Sequence, residues 1–99
     1  MILKEFDRET INQVWERGQR LDNYDPNIWR KDKCTAWINK SEHGNRDSDF
    51  GWEIDHILPN GGDNISNLQP LQWKNNIAKS DGRLICSVVS SGNKNIEKD

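Results

Sequence analysis

Asp55 and His56 stand side by side, and Asn67, Asn76 and Lys79 follow within one short stretch of chain. A carboxylate and an amide oxygen form a hard, oxygen-only donor set. Such a set suits Mg²⁺ or Mn²⁺, with water filling the remaining positions. A histidine beside that ion can take a proton from water, because its unperturbed pKa lies nearest neutrality. Lys79 adds a point charge for an anionic substrate. Ion, base and cation together suit phosphodiester hydrolysis, with the ion stabilising charge at phosphorus and on the leaving oxygen while His56 generates the nucleophile.

The elements that must position these groups can be read from periodicity. Trp52-Glu53-Ile54-Asp55-His56 alternates apolar and polar, the period-2 signature of a half-buried strand. Strict alternation sends Asp55 and His56 to opposite faces, so the strand must twist or end there for both to serve one site. Pro59-Asn60-Gly61-Gly62-Asp63-Asn64 is the strongest turn signal in the chain. It lacks the continuation of a phosphate-cradling loop and reads as a plain turn. From Pro70, which suits a first helical position, to Ser80 the residues favour helix. Leu71, Trp73 and Ile77 form its apolar stripe, Asn76 and Lys79 share a second face, and Asp81-Gly82 ends it.

Upstream, residues 8–20 read as a helix with Ile11, Val14 and Trp15 on one face and a capping box of Thr10 and Gln13. The charged run Arg30-Lys31-Asp32-Lys33 reads as a solvated face, with a phosphate-contacting edge as the alternative, and Thr35-Ala36-Trp37-Ile38 as a short strand. Residues 39–50 read as a long polar loop in which His43 is exposed and without a role, with a substrate contact as the alternative. Leu84-Ile85-Cys86 reads as a last strand or an extended packing segment, and residues 90–99 as a frayed polar tail after a single domain over 1–89.

The string from Trp52 to Ser80 resembles the HNH endonuclease family in its His-Asn-Asn form: D-H-I, an N-L-Q element and an N-x-x-K helix occur in that order. Weaker similarity to small bacterial or phage HNH proteins runs from about Phe6 to Arg83. The resemblance implies a small α+β domain built around a ββα-metal motif with an N-terminal helix. It implies that Asp55 and Asn76 ligate one divalent metal, Mg²⁺ or else Mn²⁺ or another transition metal. His56 would be the general base, Asn67 the residue that ties down the following loop and so orients His56, and Lys79 a phosphate contact. Glu53, on the strand face of Asp55, would approach the metal through a water. The expected substrate is double-stranded DNA, cut to a 5′-phosphate and a 3′-hydroxyl, with a homodimer or partner protein adding affinity. The alternative is a catalytically silent module of the same fold that binds nucleic acid or protein. A toxin-like nuclease domain working with an inhibitor protein is a third reading.

Composition sets bounds. The 99 residues are 32% hydrophobic and 30% charged, and no apolar run is long enough to span a membrane. The N-terminal residues show no basic segment followed by an apolar one, so no signal peptide is visible and a cytoplasmic protein is expected. Five Trp residues (15, 29, 37, 52 and 73) are expected to build the small core. Cys34 and Cys86 belong to no C-x-x-C pair, so the structural zinc common in the family has no ligands here. Two reduced, partly buried thiols are expected, with one Cys34–Cys86 disulfide as the alternative. The net charge of −2 disfavours a non-specific nucleic-acid coat protein. Phosphate attraction is then expected from the metal and from Arg30, Lys31, Lys33, Lys74, Lys79 and Arg83.

Overall fold

The computed structural model describes residues 5–98. The first four residues of the N-terminal segment and Asp99 of the tail lie outside that range. The described residues form a small α+β domain of two α-helices and three two-stranded antiparallel sheets. Among the described residues no helix is long and apolar enough to cross a membrane.

Helix α1, Arg8–Trp15, is shorter than the periodicity predicts and is capped differently. Asp7 is its N-cap, accepting from the Thr10 amide at 2.8 Å in place of the Thr10–Gln13 box. Its end is set by a side chain distant in sequence. The guanidinium of Arg30, only 2% exposed, donates to the Glu16 carbonyl at 2.8 Å and the Gly18 carbonyl at 3.3 Å. These bonds satisfy carbonyls that another helical turn would have used. Arg30 is therefore not part of a solvated face. It lies in β1, Trp29–Lys31, which pairs with β2, Trp37–Asn39.

The predicted strand at 35–38 is displaced because Thr35 adopts φ 68°. Asp32 stabilises that bend, its Oδ1 accepting from the amides of Cys34 and Ala36, each at 2.9 Å.

Strands β3, Trp52–His56, and β4, Leu68–Gln72, form the second sheet. Pro70 lies inside β4, opposite Ile54, and does not open a helix. The Ile57 amide donates to the Asn67 carbonyl at 2.8 Å. Antiparallel alternation then makes Ile54–Pro70 a non-hydrogen-bonded pair, where a missing N–H removes no ladder bond. Helix α2, Trp73–Ala78, begins only after Gln72, whose side chain accepts from the Lys74 amide at 2.7 Å. Asp81 and Gly82, at φ 50° and 77°, turn the chain after it.

The C-terminal residues are not a frayed tail. Val88–Ser91 (β5) and Lys94–Glu97 (β6) make a hairpin, and the apolar run at 84–86 precedes it without forming a strand. Asn95 docks the hairpin: its side chain accepts from the Trp37 amide at 2.7 Å and donates to the carbonyls of Trp37 and Asp49, each at 2.9 Å. The Trp37 indole donates to the Gly92 carbonyl at 2.7 Å. Cys34 and Cys86 are joined in a disulfide, not reduced. The core lies between α1 and the β3–β4 sheet, where Val14, Trp15, Ile38, Trp52 and Leu68 are buried and the Trp15 and Trp52 rings lie 5.3 Å apart.

Candidate functional site

Asp55 is the penultimate residue of β3 and faces Gln69 across the sheet. Its Oδ2 accepts from the Gln69 amide at 2.9 Å and from the Lys79 ammonium at 2.8 Å. Its Oδ1 accepts no hydrogen bond from any described residue. No described buried side-chain oxygen lacks a partner, so Oδ1 is open to solvent. Lys79, expected as a phosphate contact, is not a free cation. It and Asp55 are 9% and 7% exposed, and its ammonium also donates to the backbone carbonyls of His56 and Ile57.

His56 is the last residue of β3. The strand ends there, which resolves the conflict between alternation and a shared site. The ring Nε2 lies 2.6 Å from Asp63 Oδ1, and the ring centroid is 6.1 Å from that of Phe6. Asp63 was missed by sequence reasoning because its turn reads as connection only. The signal was a carboxylate just past a glycine pair that returns the chain toward the histidine.

Asn67 secures the intervening loop. Its Oδ1 accepts from the Leu58 amide at 2.9 Å, and its Nδ2 donates to the carbonyls of Leu58 at 3.0 Å and Gly62 at 2.9 Å. A Cβ at Gly61 would sit 2.7 Å from that Nδ2, so the loop closes this tightly only with glycine there.

Asn76, on α2, donates from Nδ2 to Glu53 Oε1 at 2.9 Å. Glu53 also receives a two-pronged contact from Arg46, at 2.6 and 3.0 Å. Burial pushes the Glu53 carboxyl up, but Arg46 and Asn76 outweigh it and hold it below the usual range. Its Oε1 fixes the orientation of the Asn76 amide. Because a carboxylate demands the NH₂ end of the amide, the Oδ1 of Asn76 has no hydrogen-bond partner among the described residues.

Asp55, His56, Asn76 and Lys79 together line one open cleft of about 530 Å³, walled by Pro59 and Gly82. Among the described residues no group of three or more His, Cys, Asp or Glu side chains is placed to hold a metal. The cleft nevertheless fits a divalent cation that keeps most of its waters, with Asp55 Oδ1 and Asn76 Oδ1 as two hard donors.

No family model, no curated protein and no solved structure matches this chain.

The cations expected to attract phosphate are mostly engaged. Arg30 is buried, Lys79 is held by Asp55, and Lys74 pairs with Glu97. The Lys31 ammonium rests 4.6 Å from the Trp37 ring. Only Lys33 and Arg83 of that set have neither an ion pair nor a ring contact among the described residues. His43 is exposed as expected but not idle: its ring meets that of Trp52 edge-on at 4.7 Å. Desolvation of the ring lowers its pKa against the opposing pull of Glu53.

Proposed function

We propose that this chain is a metal-dependent endonuclease of the HNH type that hydrolyses DNA phosphodiester bonds. One observation carries the reading: an antiparallel strand pair followed by a helix brings Asp55, His56 and Asn76 to a single cleft. Asn67 clamps the loop that follows His56, as the resemblance implies for the middle residue of the motif.

A bound divalent ion would supply charge stabilisation at the phosphoryl group and the departing oxygen. Asp55 and Asn76 would hold it. An Asp63 carboxylate at His56 Nε2 favours the tautomer with its proton there, which leaves Nδ1 as the ring's acceptor. Nδ1 takes a proton from the attacking water as its oxygen bonds to phosphorus. The bond to the 3′ oxygen breaks on the opposite side and that oxygen takes a proton from solvent, giving a 5′-phosphate and a 3′-hydroxyl.

A second reading is favoured by one contact. Lys79 already neutralises Asp55, as it would in a catalytically silent module that binds nucleic acid or a partner protein without cutting.

Supercoiled plasmid incubated with Mg²⁺, Mn²⁺ or EDTA separates the two. Metal-dependent nicking is expected, and His56→Ala should slow it by roughly 10²–10⁴-fold without unfolding the protein. A folded wild-type chain that binds DNA with metal present and never nicks it sinks the nuclease reading. Nicking that persists in the variant sinks the assignment of the base.

A further inference from the structure

With most of the expected cations engaged, an acidic chain must meet a polyanion through other groups. A second cleft, of about 580 Å³, lies between α1 and the 3₁₀ turn Lys40–Glu42. The side chains that matter there are Arg8, Asn12, Asn27, Lys40 and His43. No carboxylate lines it, although the chain as a whole carries a net charge of −2. Among the described residues Arg8 and Lys40 form no ion pair, and the side-chain amides of Asn12 and Asn27 form no hydrogen bond. Two cations and two unengaged amides therefore face one cavity, with the His43 imidazole beside them.

The position of this cleft relative to His56 matters. Trp52, in its floor, opens β3, and His56 closes the same strand. At about 3.3 Å per residue the two ends lie roughly 13 Å apart. That distance spans only a few nucleotides along one strand of duplex DNA. Phe6, two residues before Arg8, has its ring centroid 6.1 Å from that of His56. The cleft offers no indole face for base stacking, because Trp52 is 1% exposed. What remains is chemistry for phosphate and sugar.

We infer that the Arg8–Lys40 cleft is a backbone-binding subsite that holds the phosphates of a DNA strand flanking the one at His56. This rests on the nuclease reading for its substrate, but its test does not depend on cleavage. It assigns no base specificity, since phosphate contacts position a duplex without reading it.

The test is fluorescence anisotropy with a labelled duplex and the full chain in EDTA, titrated over a range of salt. Arg8→Gln/Lys40→Gln is compared with Lys94→Gln/Lys98→Gln, which removes the same charge from the C-terminal hairpin. The first pair should flatten the slope of log affinity against log salt by about 1.8, near 0.9 for each lost phosphate contact. It should also weaken binding at 0.1 M salt by at least about tenfold. The second pair should leave the slope nearly unchanged. Equal losses in both pairs would mean a general charge effect and overturn the subsite, as would no loss in the first. A wild-type chain that binds this way yet never nicks plasmid with metal present would fail the nuclease reading alone. One that nicks plasmid, with Arg8→Gln/Lys40→Gln leaving KM unchanged, would fail the subsite alone.

Discussion

Asp55 divides its two oxygens between different tasks. Oδ2 holds Lys79 and Gln69, while Oδ1 is open to the cleft. The Asp55–Lys79 pair is almost wholly removed from water, so each charge depends on the other to offset its desolvation. Lys79→Met should therefore cost about 3–5 kcal/mol, because it strands a buried carboxylate. Asp55→Asn/Lys79→Met should recover most of that loss, since it removes both charges and keeps the shape. Urea denaturation of the two variants measures the difference. If the double variant is no more stable than the single, the ion pair is not what holds Lys79 in place.

Helix α2 has only six residues, too few to persist in water without tertiary support. Asn75, fully buried, supplies much of it. Its Oδ1 accepts from the amides of Ser87 and Val88, and its Nδ2 donates to Asp32 Oδ2 and the Val88 carbonyl. The Cys34–Cys86 disulfide closes the same junction across 52 positions. A cross-link of that span is worth about 4 kcal/mol in the chain-entropy account. Cys86→Ser, or a reductant, should lower stability by roughly that amount. Asn76 should lose order with α2, and cleavage should fall before global unfolding. Thermal melts with and without reductant check the first part, and cleavage assays below the melting range check the second. Melts that coincide would show that Asn75 alone secures the junction.

At the scale of the molecule, acidic pH should act through Glu53. Its folded pKa lies below its ordinary value of 4.5 because Arg46 and Asn76 favour the ionised form over the opposing effect of burial. A depressed carboxyl stabilises the fold at pH above its unfolded pKa. That contribution is lost as pH falls from about 4.5 through the lower folded value. His43 has the same sign in a higher window, its contribution fading as pH drops below the ordinary imidazole value of 6.5. Asp32 has the opposite sign, because burial raises its pKa: what it adds is complete at low pH and is lost as pH rises through that raised value. Glu53→Gln should therefore flatten the loss of stability below about pH 4.5, measured by urea denaturation across pH. An unchanged acid limb would place the titration elsewhere.

Much of the site was legible because its signals are local. Period-2 alternation located β3, the glycine turn located its end, and the helix-favouring run placed Asn76 and Lys79 beyond Pro70. The aromatic residues were read as core, and Trp15 and Trp52 are its centre. What was not legible depends on contacts between residues far apart in sequence. Arg30 sets the end of α1, Asn95 and Trp37 dock a segment whose own polarity suggests fraying, and Cys34 meets Cys86. The same holds for the charges. A lysine in a sequence reads as a cation for a ligand until the fold supplies a carboxylate, as Asp55 does for Lys79. The chain itself determined which chemical groups exist and the local rhythm that presents them. Only the tertiary structure decided which are already satisfied by the protein and which, such as Arg8, Lys40 and the Oδ1 of Asn76, remain open, because satisfaction of a polar group is a property of neighbours in space.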